Sequence, residues 1–454
     1  MISRAALDQR VREWSLRHGV VEKDYVLGWL LWGIGSHARL SDTWVFKGGT
    51  CLKKCYIETY RFSEDLDFTI KPDGPISPDD VQPCLAEVLA SVTEASGIDF
   101  SVREPRLRVR PGGSVEGRIY YRGPLDSPSV ASVKLDLSAD ELLARPNVRR
   151  PIAHPYEPDE QLPGPATVSC YSFEEVFAEK LRAMGQRSRP RDLYDIVNLY
   201  RRDDLRLRRA DIYAVLAEKC AFKGIPVPTL ALVEQSGRIP ELESEWENML
   251  GHQLPALPPL GAFLDELGPL FDWLHGADPA PPLPAMAMRA DELSDWTAPA
   301  TTTVWGTRVP LEEIRFAAVN HLCVELDYKG SRRMIEPYSL RRTQAGSLVL
   351  HTLRADGTGH RSYRVGQIDG ARATSVPFTP KYAVEFSSAG AMAAPVQTRA
   401  RTAQPRARQT SAAHAVECVV CGRRFERQTA STTLRPHKDQ FGYPCRGRRG
   451  QRLY

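Results

Sequence analysis

Asp65 and Asp67 stand two residues apart in the segment WVFKGGTCLKKCYIETYRFSEDLDFTI, residues 44–70. On a strand, side chains at i and i+2 project to the same side, so both carboxylates would point toward the preceding glycine turn. Such a pair can share magnesium ions, because magnesium takes hard oxygen ligands and keeps positions open for triphosphate oxygens. In the turn itself, Lys47, Gly48, Gly49 and Thr50, the two glycines let backbone amides approach phosphates with no Cβ in the way. Asp136, in VKLDL at 133–137, offers a third strand carboxylate. These residue types in this order suit metal-assisted chemistry at a nucleoside triphosphate.

The neighbouring sequence supplies elements that could hold them. Trp44, Val45 and Phe46 read as a short buried strand, Thr50 as the N-cap of a helix to about Thr59, and Asp65 and Asp67 as part of the next strand. Ser172 and Glu175 have capping-box spacing, and Phe173, Val176, Phe177, Lys180 and Leu181 recur at helical spacing. Lys180 therefore lies at or beside an apolar face, where a lysine needs an anion. Pro190 suits the first turn of the following helix, and Asp192 and Asp195 share one of its faces.

The combination of strand, KGGT turn, helix and RFSEDLDF resembles the AbiEii/AbiGii toxin-type nucleotidyltransferases of the polymerase-beta-like superfamily. EKDY at 22–25, VKLDL at 133–137, SFEEVFAEKLRAM at 172–184 and RPRDLYDIVNLY at 189–200 follow the family's other motifs, so the resemblance spans residues 1–275. It implies an α+β fold with a helical C-terminal part. It also implies an enzyme in which Asp65 and Asp67 hold a pair of Mg2+ ions and Asp136 completes the catalytic site. Lys47, Gly48, Gly49, Thr50, Lys180, Arg187, Asp192 and Asp195 would bind the NTP, with Arg191 as a weaker candidate. The reaction implied is NMP transfer to a tRNA 3′ end, with a protein hydroxyl as the alternative acceptor. The role implied is that of a toxin, paired with an antitoxin, in phage defence by abortive infection.

At 454 residues the chain exceeds one ordinary core. Residues 276–303 are rich in Pro, Ala and Thr and read as an extended linker, and 387–415 as a second, flexible one. Between them, 304–386 reads as a helix followed by short alternating strands, a small β-barrel. That segment resembles a WYL (Sm-like) domain through RRMIEPYSL and HRSYRVGQI, although the namesake Trp-Tyr-Leu corresponds to Leu348, Val349 and Leu350. Arg361 and Arg364 are read as sharing a strand face that could bind an anionic ligand.

Residues 416–454 form a basic module. Cys418, Cys421, His437 and Cys445 supply three thiolates and an imidazole, the donor set of a closed structural Zn2+ site. Arg423, Arg424, Arg446, Arg448 and Arg449 surround it and suit nucleic acid. Residues 386–454 hold 13 Lys or Arg against 3 Asp or Glu, a net +10, which leaves −6 on residues 1–385. A nucleic-acid-binding regulator, using this module and the WYL-like segment with the first domain as a platform, is the alternative function. No apolar run reaches membrane-spanning length, the N-terminus is charged and amphipathic, and the other cysteines form no disulfide framework. A cytoplasmic protein with no membrane partner is expected.

Overall fold

The computed structural model describes residues 1–57, 61–156, 161–202, 208–277, 281–294, 296, 311–388, 414–427, 431–438 and 444–452. They fall into two compact units, Met1–Ala394 and Pro395–Tyr454.

The first unit opens with helices α1 (Arg4–Trp14), α2 (His18–Ser36) and α3 (Leu40–Thr43). Helix α2 is buried nearly all round, as its apolar sequence requires, and packs against β7 and α5 described below. There follow β1 (Trp44–Lys47), α4 (Gly48–Cys51), a π-helical turn over Leu52–Tyr56, β2 (Asp65–Ile70) and α5 (Pro78–Ser96). Strands β3 (Arg106–Val109), β4 (Val115–Tyr121), β5 (Ala131–Ser138), β6 (Val148–Pro151) and β7 (Thr167–Cys170) complete a mixed sheet in the order β3-β4-β5-β2-β1-β7-β6. Alternation sorts its faces: Leu66, Phe68, Val133, Leu135 and Leu137 are buried, while Asp65, Asp67, Lys134 and Asp136 take the opposite side.

The helical part comprises α6 (Phe173–Arg187), α7 (Pro190–Tyr200), α8 (Arg209–Phe222), α9 (Leu230–Gln235), α10 (Ile239–Leu250), α11 (Leu260–Leu264) and α12 (Leu267–Leu274). Ser172 caps α6 by accepting the Glu175 N–H at 3.3 Å. Glu175 does not return the bond, so the capping box is half formed. Its fully buried carboxylate instead accepts the N–H groups of Ala144 at 2.8 Å and Arg145 at 3.2 Å and meets Lys219 Nζ at 3.0 Å. A charged partner and two amides inside the protein outcompete one amide at the helix end.

After α13 (Leu311–Val319) the chain forms β8 (Leu322–Tyr328), β9 (Ser331–Arg342), β10 (Leu348–Arg354), β11 (His360–Arg364) and β12 (Ile368–Pro377). The expected barrel is not closed. The order is β11-β10-β9-β8-β12, and the edge strands β11 and β12 do not pair with each other among the described residues. Helix α13 covers β8, β9 and β12, and Leu311, Ile314 and Leu322 join the same core as the first sheet. Ser15 donates to Glu313 at 2.6 Å, and Arg201 to the carbonyl of Val319 at 3.3 Å. Part of the stretch read as a linker is packed here too: Met286 is buried with Cys323, Tyr338 and Phe378, and Glu292 meets His351 at 2.6 Å. Most of the second linker, 389–413, lies outside the described residues.

The second unit contains β13 (His414–Cys418), β14 (Arg424–Arg427), β15 (His437–Lys438), β16 (Pro444–Cys445) and β17 (Gly450–Arg452), in a three-stranded sheet β14-β13-β17 and a β15-β16 pair. Among the described residues no helix is long and apolar enough to cross a membrane.

Truncating Glu175 would leave Lys219 charged and two loop amides bare in the interior. Glu175→Ala is expected to lower unfolding free energy by about 2 to 4 kcal/mol, read from urea midpoints; a change below about 1 kcal/mol would contradict this anchor.

Candidate active site

Strand pairing brings the predicted carboxylates together. Lys47 on β1 is paired with Asp67 on β2, and Asp67 with Asp136 on β5. The three side chains thus lie in one row on one face, each a strand spacing of about 4.8 Å from the next. Asp65 flanks the row, with Arg191 Nη1 3.9 Å from its Oδ2.

Gly48 takes a left-handed conformation, φ +81°, and a Cβ there would collide with the Asp67 carboxylate. The turn therefore needs glycine for both its backbone and its contact with the acid. A Cβ on Gly49 would meet Arg61 Nη2 at 2.6 Å. Thr50 is not the N-cap: the helix begins at Gly48 after Lys47, and the Thr50 hydroxyl donates to the Asp65 carbonyl at 2.5 Å. Its side chain joins the turn to β2 and leaves backbone N–H groups as the turn's offering.

Burial pushes Asp67 up to about 6, and the charges of Asp65 and Asp136 add to this, against the opposing pull of Lys47 and Lys180. Asp136 Oδ2 accepts from Lys134 at 2.6 Å, whereas its Oδ1 accepts no hydrogen bond among the described residues, with Arg110 Nη1 3.5 Å away. Clustered, mutually repelling carboxylates with an unsatisfied oxygen fit a divalent cation.

Beside the acids lies a buried ionic network. Asp195, fully buried on α7, receives Arg61 Nε at 2.7 Å and Nη2 at 2.9 Å, and Lys180 Nζ at 2.8 Å. Burial opposes its charge, yet Arg61 and Lys180 hold it well below the usual carboxylate range. Asp192, also fully buried, takes Arg187 in a two-point contact at 2.7 and 3.0 Å and lies 3.8 Å from Lys180. The anion required by Lys180 is thus supplied in the protein by these aspartates. Lys180 and Arg187 still feel the charge of Asp67, so the network borders the carboxylate row. Three cations against two carboxylates leave one positive charge there.

Lys47 is paired with Glu141 at 2.8 Å. Neither Glu141 nor Arg61 is singled out by the sequence. Arg61 carried a signal, as the basic residue heading RFSEDLD, whereas Glu141 lies in a loop that only folding brings to β1.

Elsewhere, Arg361 and Arg364 do not share a face. They pair with Thr352 and Val349 of β10, and an odd separation on a strand points side chains to opposite sides. In the second unit, the donor atoms of Cys418, Cys421, His437 and Cys445 lie within 4.8 Å of one another. His437 Nδ1 lies 3.0 Å from the Arg435 carbonyl, which turns Nε2 toward Cys421 Sγ at 3.3 Å. The Gly447 amide donates to Cys445 Sγ at 3.2 Å. Burial raises the Cys418 thiol, but the amides of Cys421 and Val420 and the side chains of Cys421 and His437 bring it down to about 6. Arg423, Arg424, Arg446, Arg448 and Arg449 are all exposed around this cluster, Arg424 bonding Glu417 at 2.8 Å and Arg448 the Cys445 carbonyl at 2.9 Å.

A carboxyl whose folded pKa lies above its unfolded value contributes stability below the unfolded value and loses it as pH rises through the folded one. Metal-free protein is therefore expected to lose about 1 to 2 kcal/mol between pH 4 and 7 through Asp67, and Asp67→Asn to abolish that loss. Thermal melts in chelator across this range check it; an identical pH profile in the variant would contradict it.

No curated protein matches the chain. Among solved structures it is similar to MenT4, a nucleotidyltransferase toxin from Mycobacterium tuberculosis H37Rv, at 23% identity over 61% of this chain and 91% of that one, with a TM-score of 0.41. A family model described as the nucleotidyl transferase AbiEii toxin of type IV toxin–antitoxin systems matches residues 29–277. That stretch is more than half of the chain and holds the whole carboxylate row, the glycine turn and the buried ionic network, and the protein accordingly belongs to this family of nucleotidyltransferase toxins.

Proposed function

We propose that the protein transfers an NMP from an NTP to the 3′ end of a tRNA in a magnesium-dependent reaction. The observation that carries this reading is the row of Asp67 and Asp136, flanked by Asp65, against the Gly48 turn. Asp65, Asp67 and Asp136 would hold the ions. When bound, magnesium supplies charge neutralisation at the phosphates and lowers the pKa of the acceptor hydroxyl. The Gly48–Gly49 turn would receive the triphosphate through its backbone amides. Lys180 and Arg187, held from behind by Asp195 and Asp192, present the positive charge left over in the network. Positioning and charge compensation are therefore the chain's own contribution.

The same reading includes a cognate antitoxin as partner, action in the cytoplasm and a role in phage defence. The second sheet is taken as the WYL-like part, and its shared core with the first sheet supports a scaffolding role over ligand sensing. For the C-terminal unit we propose a structural Zn2+ on Cys418, Cys421, His437 and Cys445. Its small core of Val416, Cys418, Leu434 and Cys445 supports this, because so little apolar surface needs a further source of stability.

The transfer is tested by incubating purified protein with each α-labelled NTP, magnesium and total bacterial RNA on a denaturing gel. Label in a tRNA-sized band is expected, reduced about a hundredfold or more in Asp65→Ala and Asp67→Ala at unchanged folding. Label on protein alone would replace the acceptor, and RNA binding in EDTA without any label would favour the regulator. For the tail, one zinc per chain is expected in the purified protein and none in the Cys418→Ser, Cys445→Ser variant, read by elemental analysis; equal zinc in both would remove the assignment.

A further inference from the structure

The open face of the first sheet carries a second set of charges beside the carboxylates. Arg106 on β3 pairs with Arg118 on β4, and Arg118 with Lys134 on β5, in a row that ends at Asp65 on β2. Arg108 heads the adjoining row, which continues through Glu116, Asp136 and Asp67. Cross-strand partners project to the same side, so these cations and the catalytic acids share one surface. The alternate residues Val115, Ile119, Val133 and Leu135 are buried beneath it. Arg106, Arg108 and Arg118 are exposed, and none forms an ion pair with a described residue. Arg103 adds a further cation, stacked 4.4 Å over the Tyr120 ring on β4.

This concentration of positive charge is local. Residues 1–385 carry a net −6, yet the two strands at this edge present unpaired guanidinium groups next to an acidic site. Like charges crowded on a surface repel, and a polyanion relieves the repulsion while gaining from counterion release. Guanidinium groups also match phosphate geometry with two parallel N–H donors. The row from Arg106 to Lys134 crosses two strand spacings, about 10 Å, which is about three nucleotides at ~3.4 Å each. A protein acceptor presenting one hydroxyl has no use for such a row.

We propose that the β3–β4 surface, through Arg106, Arg108 and Arg118, binds the sugar-phosphate backbone of the RNA acceptor. The strand enters over the sheet edge and delivers its terminal hydroxyl to the carboxylate row. This rests on the transferase reading above, and the test separates the two.

Full-length wild type is compared with the Arg106→Ala, Arg108→Ala, Arg118→Ala triple variant, with bacterial tRNA as the probe. Label transfer is measured with tRNA varied at fixed NTP and with NTP varied at fixed tRNA. Binding of fluorescently labelled tRNA without NTP is followed by anisotropy over a range of salt. The variant is expected to raise half-saturating tRNA about tenfold or more, to leave half-saturating NTP within about twofold, and to reduce the salt slope by about 2 to 3. A triple lysine variant should recover most of the binding, and matching melting curves confirm the fold. Unchanged tRNA dependence and salt slope in the alanine variant would overturn the assignment. If wild type labels only protein, the RNA-transferase reading falls, and the anisotropy arm then decides the surface: weaker binding by the variant upholds it, and equal binding overturns it.

Discussion

Asp195 is the interaction on which the site depends. It is a fully buried carboxylate that receives Arg61 from the segment before β2 and Lys180 from α6. Burying these charges costs several kcal/mol per ion, offset only because donors and acceptor meet at hydrogen-bond distance. The geometry is correspondingly intolerant. Arg61 stands behind Gly49, so the same ion pair that docks the helical half also backs the glycine turn. This anion ties the segment before β2 to α6 and α7, alongside the apolar core that the sheet and the helices share.

On the other side of the turn the electrostatics run in the opposite sense. Asp65, Asp67 and Asp136 are held close by strand register, and burial first, with the charges of Asp65 and Asp136 adding to it, raises Asp67 against the pull of Lys47. The site thus sets an acidic row beside a network in which Arg61, Lys180 and Arg187 meet Asp195 and Asp192.

The two units reach stability by different routes. Met1–Ala394 has a main apolar core that runs from the first sheet into α13 and the second sheet, beside a smaller cluster around Tyr338 and Phe378. Pro395–Tyr454 has four buried residues in its cluster, two of them cysteines of the donor set. Under the zinc proposal, ligand geometry would replace apolar area there, as small domains commonly require.

Much of the site was legible in the sequence because it is local. The i, i+2 spacing of Asp65 and Asp67, the glycine pair and the periodicity of α6 and α7 follow from backbone geometry alone. Spacing also identified the four metal-type donors of the tail as a set. What the sequence could not supply were choices among competing partners. Thr50 bonds the Asp65 carbonyl instead of capping a helix, and Glu175 serves a distant loop and Lys219 instead of its own cap. Among the described residues the edge strands of the second sheet do not pair, and β12, poor in alternation, gave no strand signal. Local sequence determined the residue types and their phase along each element. Only the tertiary structure decided which buried charge meets which, because such pairs depend on how whole elements dock, with Arg61 and Asp195 standing 134 residues apart.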